Sequence, residues 1–309
     1  MAKVTKPTRD ALGEVLIELA KTNKDIVSVN CDIGKSCKTL DFGKEYPNQF
    51  VNVGIAEQNA CGVAAGLATC GKIPFISTYA VFGSMRMSEQ IRQEVCYPNL
   101  NVKICCSHGG LTPANDGASH QGIEDMGIMR TIPNMKVIMP ADYNSAKKLV
   151  KCMAEDHGAT YIRFTRDNVE GIYDEDQEFE IGKAVCIKEG TDVALIANGD
   201  TVVLALKAEK ELAAKGINAS VYDFHTIKPL DIDVVKKEIE KCGKIVTIED
   251  HNILNGLGSA VCEVVAEAGK GKVARIGIQD RFGESGPYDE LLKKQGITVE
   301  HIVEAASSL

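Results

Sequence analysis

Val102-Lys103-Ile104-Cys105-Cys106 runs directly into Ser107-His108-Gly109-Gly110-Leu111-Thr112-Pro113-Ala114-Asn115-Asp116-Gly117-Ala118-Ser119-His120-Gln121. The first run reads as a buried strand. The second is a loop dense in turn formers, and it holds two of the chain's six histidines. In an open α/β sheet the ligand crevice lies outside the carboxyl ends of the strands, so a strand opening into such a loop predicts both the sheet and its site. A metal would require a third ligand nearby and a shorter spacing, so no metal site is expected here.

The same alternation extends in both directions. Residues 8–22 carry Leu12, Val15, Leu16 and Leu19 at helical spacing, and 58–70 are helical and rich in small residues. Residues 26–29, 50–53, 73–78, 136–139 and 161–165 read as strands, and 84–95 and 142–154 as helices. An acidic stretch, 167–190, has poor helical periodicity and reads as a linker with at most a short strand or hairpin. Beyond it, strands at 192–197, 219–223, 244–248 and 273–278 alternate with helices at 201–215, 231–242, 256–268 and 288–295. The expected fold is therefore α/β, with a mostly parallel sheet flanked by helices over 1–168, a linker over 169–190 and a smaller α/β unit over 191–309. The 309 residues suit two domains at about 100–200 residues each.

Composition narrows the function. With 35 Lys+Arg against 43 Asp+Glu the net charge is −8, and no basic face for nucleic acid or an anionic membrane is indicated. No apolar run approaches the roughly 20 residues of a membrane span, and the N-terminus lacks a signal-peptide core. A soluble, cytoplasmic protein is expected. The 11 cysteines are odd in number and show no metal-ligand spacing, so reduced thiols, mostly buried, are expected.

Two further motifs carry chemistry. In Val53-Gly54-Ile55-Ala56-Glu57-Gln58 an acid stands at a strand-to-helix junction, where the macrodipole alone would stabilise it. In Pro74-Phe75-Ile76-Ser77-Thr78-Tyr79-Ala80-Val81-Phe82 a strand delivers two aromatics, Tyr79 and Phe82, into what reads as a loop.

Taken together, Gly54–Ala60 (GIAEQNA), PFISTYAVF and HGG…NDGASHQ…EDMGIMRTIPNMKVIMPAD resemble the pyrimidine-binding domain of transketolase. Lys228-Pro229-Leu230-Asp231 and Phe282-Gly283-Glu284-Ser285-Gly286 resemble that family's C-terminal domain, so the resemblance covers nearly the whole chain. Full-length transketolases also carry a domain that binds the cofactor diphosphate through Mg2+, marked by GDG and an Asn-rich continuation. The nearest string here, Asn198-Gly199-Asp200-Thr201, reads as a helix start. The chain thus resembles the C-terminal half of a split transketolase, expected to work only with an N-terminal subunit carrying the GDG–Asn motif.

What the resemblance implies for individual residues is specific. The cofactor would be thiamine diphosphate, with Mg2+ held mainly by the partner subunit. Glu57 matches the acid that hydrogen-bonds N1′ of the aminopyrimidine, and Tyr79 and Phe82 match aromatics that pack on it. Met85 stands where the family often has a third aromatic. Asp32 and Ile33 match positions beside the thiazolium. Arg9, Ser36, His108 and Arg166 match the phosphate-binding set for sugar phosphate substrates. Asp116 and His120 match residues that bond sugar hydroxyls near the reacting carbons. A homodimer within a heterotetramer of two such chains and two partners is implied. The competing readings are the β subunit of a 2-oxo acid dehydrogenase E1 component, a deoxyxylulose-phosphate synthase fragment and a non-catalytic partner chain. The phosphate-reading set argues against the first, Arg9 against the second and Glu57 against the third.

Overall fold

The computed structural model describes residues 3–309. The inner strands Ile26–Asn30, Lys103–Ser107, Thr160–Arg163, Val193–Ala197 and Ala219–Asp223 are buried along their length, as strands covered by helices on both faces must be, while edge strands such as Phe50–Asn52 and Val185–Lys188 are partly exposed. Through the first half run α1 (Asp10–Ala20), β1 (Ile26–Asn30), α2 (Leu40–Glu45), β2 (Phe50–Asn52), α3 (Glu57–Thr69), β3 (Ile73–Tyr79) and α4 (Ala80–Met85). They are followed by α5 (Ser88–Gln90), β4 (Lys103–Ser107), α6 (Asp125–Thr131), β5 (Lys136–Ile138), α7 (Tyr143–Glu155) and β6 (Thr160–Arg163). The second half continues with β7 (Val185–Lys188), β8 (Val193–Ala197), α8 (Thr201–Ala214), β9 (Ala219–Asp223), β10 (Thr226–Lys228) and α9 (Ile232–Lys241). It closes with β11 (Lys244–Asn252), α10 (Leu257–Ala268), β12 (Lys272–Ile278), α11 (Tyr288–Gln295) and α12 (Val299–Ser308).

Two sheets result. The first has seven strands in the order β10-β5-β6-β4-β3-β1-β2 and is parallel except for β10, which runs antiparallel to β5. The second has five, β12-β11-β8-β9-β7, with only β7 antiparallel. The mixed α/β architecture with mostly parallel sheets is the one expected from the alternation. One strand crosses between the halves: β10 comes from the second half of the chain but completes the edge of the first sheet.

The stretch 167–190 is no loose tether. Ile172, Tyr173 and Phe179 are buried in the main core. Asp142, which caps α7 in a reciprocal box with Ser145, also accepts the backbone N–H groups of Ile172 and Tyr173 at 2.7 and 2.8 Å. The Tyr173 hydroxyl donates to Asp223 at 2.9 Å. One buried carboxylate thus ties a helix start to the connecting segment, with charge-assisted bonds to each N–H.

Several sequence expectations need correction. The helix expected over 84–95 is broken. α4 ends at Met85, Met87 leaves helical dihedrals (φ −106°, ψ 8°), and Ile91–Cys96 is a π turn. Phe82 therefore sits on a helix rather than in a loop. The strand expected over 161–165 ends at Arg163, so Arg166 lies beyond it. Strand β7 is the short strand allowed for within 167–190. Helices α2, α6 and α12 and strand β10 were not anticipated. The first two helices and β10 are too short to show a period, while α12 starts from Thr298, whose hydroxyl accepts from the His301 N–H. Of the 11 cysteines, all free, Cys31, Cys37, Cys61, Cys96, Cys105 and Cys106 are buried, and Cys70 and Cys186 are exposed.

Candidate active site

The site assembles at the carboxyl ends of β3, β4 and β6 and the start of α3. Glu57 is the first residue of α3, and only 5% of it is exposed. Its carboxylate faces the positive end of the helix dipole. It also accepts a hydrogen bond from Arg86 Nη1 at Oε1, 2.9 Å away. A buried carboxylate is tolerable when it is paired and bonded in this way.

Beside Glu57 lies a row of rings. Tyr79 closes β3 and Phe82 falls in the first turn of α4, their centroids 5.7 Å apart and their planes 29° from parallel. His108 lies 3.9 Å from the Tyr79 ring, and His120 meets Tyr79 and Phe82 edge-on at 6.0 and 5.6 Å. The Arg86 guanidinium covers Phe82, its carbon 3.8 Å from the ring centre. Met85 is exposed beyond them.

On the other side of His108 the cations gather. Arg9, immediately before α1, donates from Nη1 to the Ser36 carbonyl at 3.1 Å and reaches His108 Nε2 at 3.5 Å. Because an arginine can only donate, Nε2 is the acceptor. Nδ1–H then donates to Ser107 Oγ, 2.8 Å away. Burial, followed by Arg9, Arg166 and His120, lowers the His108 pKa to about 3, so the ring is neutral under ordinary conditions. Arg166 donates to the Pro113 carbonyl at 2.6 Å and pairs with Asp116 at 3.4 Å. The Arg9 Nε is buried with no partner within the chain. A permanent cation beside a neutral imidazole suits an anionic ligand.

The loop that carries His108, Asp116 and His120 is held by the second half of the chain. Leu111 N–H donates to both Asp250 oxygens, at 3.2 and 2.9 Å. Fully buried Arg163 pairs with Asp125 at 2.9 Å and donates to the Asp250 carbonyl. Gln121 donates to the Glu284 carbonyl at 3.0 Å. Gly110 has φ +59°, and a Cβ there would stand 2.1 Å from Asp250 Oδ2, so only glycine serves. Tyr288 donates to Asp200 and Asp250, and burial together with Asp200 raises the Asp250 pKa.

Of the residues expected from sequence, Arg9, Ser36, His108, Asp116 and Arg166 form one cluster, and Glu57, Tyr79, Phe82 and His120 a second that joins it through His108. Asp32 stands outside both. It is exposed, has φ 64° and accepts from Asn52 at 2.9 Å. Half-buried Ile33 follows it. Arg86 was missed, although its place four residues after Phe82 puts the two on one helix face, a signal the sequence did contain. Buried Cys31 and Cys37 have thiol pKa values pushed up to about 12 and are not nucleophiles. Among the described residues there is no group of three His, Cys, Asp or Glu able to hold a metal, and no helix long and apolar enough to cross a membrane.

Comparison with known proteins bears on both halves. The profile of the transketolase pyrimidine binding domain matches residues 5–171, and that of the transketolase C-terminal domain matches 182–302. A protein of Methanocaldococcus jannaschii assigned as a transketolase C-terminal section is 47% identical over 305 residues, 98% of this chain and 96% of that protein. A 6-deoxy-6-sulfo-D-fructose transketolase subunit of Clostridium sp. is 39% identical, covering 96% of this chain and 92% of its own length. Among solved structures, a split-gene transketolase in an inactive beta4 tetramer superposes with a TM-score of 0.90 and 45% identity, covering 98% of this chain and 97% of that one. Transketolase from Campylobacter jejuni shares the fold at a TM-score of 0.85 and 22% identity, with 99% of this chain lying on 47% of that one.

Proposed function

The chain belongs to the transketolase family, and from that premise we propose that it is the C-terminal subunit of a split transketolase. It moves a two-carbon ketol unit from a ketose phosphate to an aldose phosphate. The observation that carries the reading is the continuity of its two clusters: a buried carboxylate with an aromatic platform, and beside it an anion pocket with a buried, unpartnered arginine Nε.

Thiamine diphosphate fits these residues. Phe82 and Tyr79 offer flat apolar faces, and Glu57 offers an acid able to exchange a proton at N1′ of the aminopyrimidine. When bound, thiamine diphosphate supplies a nucleophilic thiazolium carbon that takes up and releases the two-carbon unit. Glu57 holds and returns the N1′ proton. Asp32 and Ile33 flank the thiazolium side. Arg9 and Arg166 bind the acceptor's phosphate as charged donors, with the Ser36 segment and neutral His108 completing the pocket. Asp116 and His120 orient the sugar hydroxyls. The diphosphate and its Mg2+ are held mainly by a partner subunit with a GDG–Asn motif. Two copies of this chain form a homodimer within the heterotetramer, and no nucleic acid or membrane is involved. A cytoplasmic setting accords with the reduced thiols.

The test is reconstitution. The purified chain with thiamine diphosphate and Mg2+ should show no ketol transfer, and adding the partner subunit should restore it. Turnover by the isolated chain would overturn the split-site reading.

A further inference from the structure

We propose that Arg86 is a positioning residue that fills the aminopyrimidine seat while the cofactor is absent and leaves it when the cofactor binds. The inference rests on the reading above, which makes Glu57 and Phe82 the two walls of that seat.

Three observations converge on it. Arg86 Nη1 occupies Glu57 Oε1 at 2.9 Å, the carboxylate that would otherwise bond the ring nitrogen. Its guanidinium lies over Phe82 at 3.8 Å, a stacking distance that leaves no room for a second plane between them. The two partners also differ in freedom: the Glu57 side chain is 6% exposed and fixed in the first turn of α3, whereas that of Arg86 is 47% exposed. Arg86 follows the last residue of α4, its N–H still bonded to the Phe82 carbonyl at 2.9 Å, and the helix gives way at Met87. The long, solvent-facing side chain is therefore the one able to move.

The chemistry explains why an arginine suits the place. A guanidinium is a flat N–C–N group with N–H donors along its edge, and an aminopyrimidine presents a flat face and an N–C–N edge of the same kind. Each can stack on Phe82 and share a proton or hydrogen bond with Glu57, but not at the same time. Without either, Glu57 would be a buried carboxylate with no cation, which is costly. Arg86 therefore keeps the empty site paired and folded, and the cofactor has to compete with it. Arg86 weakens cofactor binding while stabilising the cofactor-free protein, the reverse of what a cofactor ligand does.

The experiment uses the assembled enzyme, this chain with its partner subunit, and titrates thiamine diphosphate in the presence of Mg2+ by calorimetry. Arg86→Met keeps the stem and removes the guanidinium. The expected result is a Kd about 2- to 5-fold tighter, the size of a partly exposed ion pair. The cofactor-free thermal midpoint should fall, and saturating cofactor should narrow the gap. Arg86→Lys, which keeps the charge without the plane, should fall between, and it serves if the methionine variant does not fold. In a Glu57→Gln background, Arg86→Met should no longer change Kd. Unchanged or weaker binding in the Arg86 variants, with the wild type binding normally, would overturn the proposal and leave the functional reading intact. A wild-type assembly that does not bind thiamine diphosphate would overturn the functional reading and this proposal together.

Discussion

Arg9 should carry more of the acceptor's phosphate than Arg166. Both belong to the cluster around His108, but they differ in what they already hold. Arg166 gives one nitrogen to both the Pro113 carbonyl and Asp116, so part of its charge is balanced within the chain. Arg9 spends one nitrogen on the Ser36 carbonyl and a long contact to His108, and its Nε is buried without a partner. Each charge-assisted hydrogen bond lost is worth about 1.5–3 kcal/mol. For Arg9→Ala that predicts a rise of about 10- to 150-fold in KM for a phosphorylated aldose, since about 1.4 kcal/mol is tenfold. Arg166→Ala should fall at about the tenfold end, because Asp116 already balances part of its charge. The assay compares a phosphorylated acceptor with glycolaldehyde, using the reconstituted enzyme. Glycolaldehyde has no phosphate and should be nearly indifferent to either change. Equal losses with both acceptors in Arg9→Ala would show that Arg9 supports the fold or the cofactor, and the phosphate assignment would be wrong.

Three other outcomes can be checked. Glu57→Gln keeps the shape but cannot exchange a proton at N1′. Turnover should drop by about 10²- to 10⁴-fold, and the C2 proton of bound thiamine diphosphate should exchange slowly; wild-type exchange would mean another group activates it. Asp223 is fully buried, and desolvation raises its pKa to about 8 despite the Tyr173 hydrogen bond. An acid raised in the folded state contributes stability that is full below its unfolded pKa and lost as pH rises through the folded one. Relative to Asp223→Asn, the wild type should therefore lose on the order of 1 kcal/mol per pH unit between about pH 5 and 8, measured by denaturant melts; a flat difference would refute the shift. Gly110→Ala should cost about 2–4 kcal/mol, from a positive φ and the collision with Asp250. Gly71→Ala, also at positive φ but facing open space, should cost only about 1–2 kcal/mol, and equal losses would remove Asp250 from the account.

What was legible in the sequence followed from period and punctuation. Strands such as Val193–Ala197 are buried throughout and stand out as apolar runs, and Glu57 is marked by the switch from strand to small-residue helix. What was not legible depends on distant parts of the chain. Thr226–Lys228 is too short to announce a strand, and nothing local says that it joins the first sheet. Arg163 looked like part of an ordinary strand, yet it is wholly buried because Asp125 and the Asp250 carbonyl receive it. His108 was read as a phosphate ligand. Its neutral state follows from burial between two arginines that are far apart in sequence.

These long-range contacts bear on how half a site keeps its shape. A loop of glycines, prolines and small polar residues has little stiffness of its own, and a binding pocket built on it would lose affinity to the entropy of ordering. Here the stiffness comes from the second half of the chain. Asp250 holds Leu111 at the start of the loop, the Glu284 carbonyl holds Gln121 at its end, and a Cβ on Gly117 between them would meet Ser285 Oγ at 2.5 Å. The C-terminal domain supplies none of the residues assigned to cofactor or sugar, yet it fixes the segment that presents His108, Asp116 and His120. Under the proposed function, the second half of the chain serves the acceptor side by holding that loop in place. Separating the two halves would then leave the loop to be ordered at each binding event, at a cost in affinity.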